Sequence, residues 1–278
     1  MSAIPSIQLN DGHRVPQLGF GIWQVPDVDT TRVVGAAFDV GYRHVDGAAA
    51  YGNEDGLGQA IHASGLPRSE LFITTKLRNP DQGYKEALQA IDASRARLRL
   101  DYIDLYLIHW PCPRHGHFVD SWRALIEARE AGKVRSIGVS NFRAEDIDRI
   151  VDATGVVPAV NQIELHPLLQ QSELRAYADA HQIVTESWSA LSQGGNLLAH
   201  PILQSIGKKH GKSVAQVILR WHMQLGLVAF PKSVTPARIA ENFAIFDFVL
   251  DAGDMAQIAS LDSGTRLGPD PANFEDMS

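Results

Sequence analysis

The chain has 278 residues, 45% of them hydrophobic and 21% charged, a composition ordinary for a globular enzyme with one sizeable core. Its formal net charge of -7 argues against a nucleic-acid partner, which needs a basic face, but leaves room for a local basic pocket. The single cysteine, Cys112, excludes an internal disulfide, favours a reducing compartment and reads as a spectator packed near the site, with a reactive thiol as the alternative.

Residues 1–5 carry no basic region followed by an apolar run, so no secretion signal is expected. Residues 6–9 and 14–18 flank Asn10-Asp11-Gly12 and predict a hairpin with a tight turn, placed to plug the bottom of a barrel. A strand near residues 17–21 leads into helical spacing over 31–40, where Val33, Val34, Ala37 and Val40 share one face. Runs rich in β-branched and aromatic residues predict strands at 43–46, 71–76, 102–109, 134–140, 159–164 and 183–188. Helical spacing recurs at 84–98, 121–131, 145–152, 172–181 and 213–225, and Gly132, Gly155 and Gly226 stand where helices should stop. A last strand near 227–230 and a last helix over 236–243 complete eight strand–helix units without a linker-like break.

That alternation predicts an α/β fold: one (β/α)8 TIM barrel domain over residues 1–278, with an open doubly wound sheet as the alternative. Residues 189–209 and 252–278 exceed the minimal unit and are expected to form extra loops on the C-terminal rim, where specificity lives. Residues 269–278, polar and proline-bearing, are expected to be an exposed tail. No apolar stretch approaches the roughly 18 residues of a membrane span, so no membrane association is expected; the expected setting is the cytoplasm, and the expected state a monomer.

No G-x-G-x-x-G occurs at a strand-to-helix turn, and no G-x-x-x-x-G-K-[ST] occurs, so any nicotinamide cofactor is held without a Rossmann turn. The ionisable residues gather instead at strand ends: Asp46, Lys76 and His109 close consecutive strands, and Tyr51 lies in the loop after Asp46. In a barrel those ends share the rim that carries active sites. Their types suit carbonyl reduction, because hydride addition develops negative charge on oxygen and needs a proton donor. Tyr51 is the expected donor, and the Lys76 ammonium is expected to pull its pKa down. Asp46 can hold Lys76 in place, and His109 can hydrogen-bond the substrate oxygen. Singly, each of these residues also has a structural reading, as a cap or a satisfied strand-end group.

Two stretches carry a resemblance. Residues 41–54, with Asp46-Gly47-Ala48-Ala49-Ala50-Tyr51-Gly52-Asn53-Glu54, resemble the first signature of the aldo-keto reductase superfamily, and residues 230–242 resemble its cofactor-binding signature. Residues 104–111, Gly138-Val139-Ser140-Asn141-Phe142 and Asn161-Gln162-Ile163-Glu164 match between them, in the family's order. With Trp188-Ser189 and the short C-terminal region, the chain most resembles the bacterial 2,5-diketo-D-gluconate reductase type. The resemblance implies a (β/α)8 barrel, NADPH as cofactor, and Asp46, Tyr51, Lys76 and His109 as catalytic tetrad. It implies that Ser140, Asn141 and Gln162 bond the carboxamide, that Trp188 stacks on the nicotinamide, and that Ser189 and Leu191 line the cofactor. Lys232, Ser233 and Arg238 are expected to take the 2′-phosphate, Val234 to line the cofactor beside them, and Glu241 and Asn242 to contact the adenine. Thr235 stands where close relatives often carry another basic residue.

Two departures matter. Gly47 replaces a Ser or Thr and is expected to loosen the backbone before Tyr51. Arg78 replaces an aromatic and is expected to line the substrate rim and favour anionic or strongly polar carbonyl compounds, a solvated surface arginine being the alternative, with Trp23 and Trp110 as further walls. The expected function is NADPH-dependent reduction of small aldehydes, ketones or dicarbonyls, including 2,5-diketo-D-gluconate-like keto-sugar acids, to alcohols. The rival reading is an NADPH-binding redox-sensing subunit with little turnover. A serine hydrolase lacks its G-x-S-x-G, and no metal is expected because His115 and His117 lie in a loop without matching carboxylates.

Overall fold

In the computed structural model, which describes residues 4–277, eight parallel strands form a sheet in strict sequence order. Residues 1–3, part of the segment read for a secretion signal, and Ser278 lie outside the described residues. A hairpin comes first, β1 (Ser6–Gln8) antiparallel to β2 (Arg14–Pro16). The barrel strands are β3 (Phe20–Gly21), β4 (His44–Asp46), β5 (Phe72–Leu77), β6 (Ile103–Ile108), β7 (Val134–Ser140), β8 (Val160–Glu164), β9 (Val184–Trp188) and β10 (Val228–Ala229). Closure comes from a parallel bridge between Leu18 and Ala229, with Gly19 N–H donating to the Ala229 carbonyl at 3.0 Å. The chain is therefore a (β/α)8 barrel, as the alternation predicts, and not an open sheet.

Helices α1 (Asp27–Val40), α2 (Glu54–Ala63), α3 (Tyr84–Leu98), α4 (Phe118–Glu130), α5 (Ala144–Thr154) and α6 (Ser172–Ala180) follow the first six barrel strands. After β9 come α7 (Pro201–His210) and α8 (Val214–Gln224), and after β10 come α9 (Pro236–Phe243) and α10 (Ala252–Ala259). Sequence periodicity picks out no helix at α2, because Gly56 and Gly58 interrupt its apolar face and each costs about 1 kcal/mol of helix propensity. Packing explains them: a Cβ on Gly56 would lie 2.5 Å from the Asp27 carbonyl oxygen, and one on Gly58 2.7 Å from that of Arg97. These glycines let α2 wedge against α1 and α3, and the Asp27 side chain accepts from the Gly56 N–H at 2.7 Å.

The hairpin closes the barrel's lower end as expected. Leu9 and Val15 pack into a buried cluster with Leu105, Leu107, Val160, Val228 and Phe230 inside the barrel. The C-terminal tail departs from expectation. It is not a free exposed segment but a strap across the rim, where Phe274 lies 4.4 Å from Trp110 between ring centroids. Glu164 accepts from the Leu267 and Gly268 N–H groups at 2.6 and 2.9 Å, and Asn79 Nδ2 donates to the Asp276 carbonyl at 2.8 Å. Polar composition misled here because Phe274 and the Asp276 main-chain carbonyl anchor the strap while Asp270, Asn273 and Asp276 keep their side chains exposed.

Three histidines are folded in a neutral form. Burial, the largest influence on each, lowers the pKa of His44 to about 4, of His109 to about 3 and of His222 to about 4. Their unfolded counterparts titrate near 6.5, so as pH falls below that value the unfolded chain binds more protons and stability is lost. At pH 5 each should cost about 2 kcal/mol, lowering Tm by on the order of 10 °C relative to neutral pH. Scanning calorimetry from pH 7.5 to pH 5 checks this, and His222→Asn should flatten the slope; a Tm independent of pH over this range refutes the assignment.

Candidate active site

The predicted catalytic residues meet at the mouth of the barrel. Lys76 points inward from β5 and is completely buried. Its Nζ donates to Asp46 Oδ1 at 2.7 Å and to the Gly47 carbonyl at 2.8 Å, and reaches the Tyr51 hydroxyl at 3.5 Å. The three hydrogens of the ammonium thus have three oxygens to meet. Tyr51 closes a single 3-10 turn, Ala49–Tyr51, and its ring stands edge-on to His109 with centroids 5.8 Å apart.

Gly47 does not loosen this loop. Its N–H donates to the Thr74 carbonyl at 2.9 Å while its own carbonyl accepts from Lys76, so both peptide groups are fixed. A Cβ there would only make ordinary contacts at 3.4 Å with Ile22 and the Thr74 oxygen. The backbone between Asp46 and Tyr51 is pinned by the lysine it serves.

Burial opposes the charge on Lys76, but Asp46 foremost, with Tyr51 and Glu186, holds its pKa above the ordinary lysine value. Burial also raises the Tyr51 phenol above its usual range, and Lys76 offsets only part of that rise. The expectation of a phenol below its normal pKa is corrected: the ammonium acts in the expected direction, but desolvation is larger. His109 is neutral, since burial and then Lys76 push its pKa down to about 3. Its imidazole can therefore offer one N–H to an oxygen without adding charge.

The predicted carboxamide residues form a connected network beside this cluster. Ser140 Oγ donates to the Gln162 carbonyl at 2.8 Å. Asn141, at a left-handed φ of 63°, donates from Nδ2 to the His109 carbonyl at 2.9 Å and accepts at Oδ1 from Trp188 Nε1 at 2.7 Å. Gln162 Nε2 donates to Asp46 Oδ1 and to Glu186 Oε2, both at 2.9 Å. Ser189 also takes a positive φ of 52°, turning the chain at the rim, and Leu191 comes just before the turn Ser192–Gly194.

The predicted phosphate and adenine residues sit beyond β10. Lys232, Val234, Arg238 and Glu241 are exposed, whereas Ser233 and Asn242 are buried. Ser233 Oγ accepts from the Thr235 N–H at 3.1 Å, shaping the turn into α9, whose first turn carries Arg238. Among the described residues neither Lys232 nor Arg238 has a carboxylate partner. Two unneutralised cations at a helix N-terminus suit a phosphate monoester.

The predicted substrate residues divide. Trp110 is buried between Phe274 and Trp188, while Trp23 stands half-open at the rim. Arg78 is tied to Asp81 by two bonds at 2.8 and 3.0 Å and lines a cleft with Ala49 and Gly52, which bracket Tyr51 in sequence. Glu54, Asp55, Asp81 and Glu86 share that cleft, so the charge of Arg78 is locally offset.

Four neighbours of the site escaped sequence reasoning: Glu164, Glu186, Gly268 and Phe274. An acid two residues before a rim residue in a buried strand, as Glu186 is before Trp188, was the available signal, since period-two spacing puts both on the inner face. Gly268 and Phe274 gave none, because only folding brings the strap there. A Cβ on Gly268 would lie 2.5 Å from Trp188 Cη2, so the strap presses backbone directly on the indole.

Residues 17–263 match the model of the Aldo/keto reductase family. The chain belongs to that family. An aldo-keto reductase of Mycobacterium sp. strain KMS is 56% identical over 270 residues, 97% of this chain and 98% of its own length. The methylglyoxal reductase DkgA of Salmonella typhimurium is 50% identical over 269 residues, covering 96% and 97%. An alanine mutant of Gox0644 in complex with NADPH superposes with a TM-score of 0.95 at 47% identity, covering 98% of this chain and 99% of that one. An aldo/keto reductase from Brucella melitensis gives 0.91 at 53% identity, covering 94% and 100%.

In this aldo/keto reductase the contact between Gly268 and Trp188 is open to test. Gly268→Val is expected to push the indole away from Asn141 and weaken NADPH binding roughly tenfold, measured by quenching of protein fluorescence. Unchanged affinity would show that the strap does not shape the cofactor groove.

Proposed function

We propose that this protein reduces the carbonyl group of small dicarbonyls, methylglyoxal-like ketoaldehydes and keto-sugar acids among them, to an alcohol at the expense of NADPH. The observation that carries the reading is the buried Lys76 ammonium, shared between the Asp46 carboxylate and the Tyr51 hydroxyl beside a neutral His109. The family and the relative named for methylglyoxal support the substrate class. The residues present fit the cofactor: Lys232 and Arg238, without a carboxylate partner among the described residues, suit a 2′-phosphate, while the Asn141 amide is bonded to Trp188 and the Gln162 amide to Asp46.

Bound NADPH supplies the hydride that reaches the carbonyl carbon. The protein's own task is the oxygen, where negative charge develops. His109 offers an N–H to that oxygen without competing for a proton, because it is neutral at physiological pH. Tyr51 gives its hydroxyl proton to the same oxygen. An alkoxide is a far stronger base than a phenolate, so this transfer is favourable even from a phenol whose pKa is raised. Lys76 then lies against the phenolate and stabilises it until solvent returns the proton, while Asp46 keeps the ammonium charged and fixed.

Consumption of NADPH, followed by its absorbance, should be steady with methylglyoxal or 2,5-diketo-D-gluconate. Tyr51→Phe should lower kcat by about 10²–10⁴-fold while still binding NADPH. Tight NADPH binding without turnover in the unmodified protein would instead support a redox-sensing subunit. Replacing Lys232 and Arg238 by methionine should cut the preference for NADPH over NADH by roughly tenfold or more, since a charged hydrogen bond is worth about 1.5–3 kcal/mol; an unchanged ratio overturns their assignment to the phosphate.

A further inference from the structure

Glu186 takes no part in that chemistry, yet it lies one residue away from it. In β9 it is in register with Gln162 of β8 on one side and Val228 of β10 on the other. It is completely buried. Its Oε2 accepts from Gln162 Nε2 at 2.9 Å, and among the described residues its Oε1 has no hydrogen-bond partner. The same Gln162 nitrogen donates its other hydrogen to Asp46 Oδ1 at 2.9 Å, the oxygen that also holds Lys76.

An ionised carboxylate with one oxygen unpaired is costly to bury, whereas a protonated carboxyl is far less so. An amide with both hydrogens engaged by carboxyl oxygens has a fixed orientation, leaving only its carbonyl oxygen for any other partner.

We propose that Glu186 is a positioning residue of the reductase site, a neutral carboxyl that acts through Gln162 to steady Asp46 against Lys76 and to keep the cluster beneath Tyr51 electrically balanced. This inference rests on the reading of Tyr51, Lys76 and Asp46 as the reducing group. With Glu186 neutral, Asp46 and Lys76 cancel; with Glu186 ionised, the trio carries one net negative charge and Tyr51 holds its proton more tightly. Fixing the Gln162 amide also makes its Oε1 an acceptor, which suits the amino group of a carboxamide.

The charged groups acting on Glu186 are Asp46 from β4 and Lys76 from β5. Its strand neighbours contribute the uncharged Gln162 and Val228, and His44, two residues below Asp46, is neutral. Burial first and the Asp46 charge second raise its pKa to about 8, with Gln162 and Lys76 offsetting part of the rise.

The test combines a titration with a pH–rate profile. Carbon-13 NMR of the Glu186 carboxyl in the cofactor-free protein, assigned by loss of the signal in Glu186→Gln, should show a midpoint near 8 rather than the ordinary 4.5. With NADPH and methylglyoxal saturating, kcat of the unmodified enzyme should fall as pH rises through about 8, and Glu186→Gln, which cannot ionise, should lack that limb. Glu186→Ala should lower kcat about tenfold while KM for methylglyoxal moves less than about twofold. A midpoint near 4.5, or normalised profiles that superimpose for the unmodified and Gln forms, overturns the proposal. Should Glu186→Ala fail to fold, the Gln profile and the titration decide alone. Tyr51→Phe separates the two levels: an active Tyr51→Phe removes the reading of the site, whereas an inactive one with superimposed profiles removes only the role of Glu186.

Discussion

A lysine ammonium sealed inside a barrel has no water to solvate it, so every one of its hydrogens must find an oxygen fixed by the fold. Lys76 meets that requirement with the Asp46 carboxylate, the Gly47 carbonyl and the Tyr51 hydroxyl. The first two oxygens come from the end of β4 and the first residue beyond it, and the third from the next turn of the chain. Satisfying one buried cation therefore fixes the neighbouring loop, and with it the phenol, in one place. The cost of burying a charge is thus converted into placement of the proton donor.

Around that cation the electrostatics separate the roles of otherwise similar groups. Asp46 and Glu186 are both buried carboxyls bonded by the same amide, yet only Asp46 touches the ammonium. His109, desolvated by its surroundings and close to Lys76, stays neutral, and Tyr51 stays protonated. The strap adds a mechanical element. Glu164, fully buried at the end of β8, collects the N–H groups of Leu267 and Gly268, and the strap in turn rests on Trp188. Trp188 is bonded to Asn141, and Asn141 to the His109 carbonyl. The C-terminal strap is thereby coupled, through the side chains of Trp188 and Asn141, to the backbone of His109.

Much of the fold was legible because its signals are local. Strands β4 to β9 announce themselves as short apolar runs, and α3 and α9 fall where their spacing puts them. Helix α2 was missed because Gly56 and Gly58 answer to α1 and α3 rather than to helix propensity. The tail was misread for a related reason: Asn79 and Trp110, its partners, lie over a hundred positions earlier in the chain. At the site, residue identity and strand-end position sufficed to gather Asp46, Tyr51, Lys76 and His109. They did not suffice to give the direction of the Tyr51 pKa, which depends on how much protein surrounds the ring.

Short-range pattern carries the eight alternations, the strand ends where chemistry gathers, and the motifs of an aldo/keto reductase. Tertiary structure alone decided what depends on distance through space. It pinned Gly47 instead of loosening it, committed Arg78 to Asp81, folded the tail over Trp110 and Trp188, and set Glu186 beside Gln162 under the cluster. Periodicity records which face of a strand a residue occupies, but desolvation and hydrogen bonding are sums over neighbours from many strands. Those sums exist only once the barrel has closed.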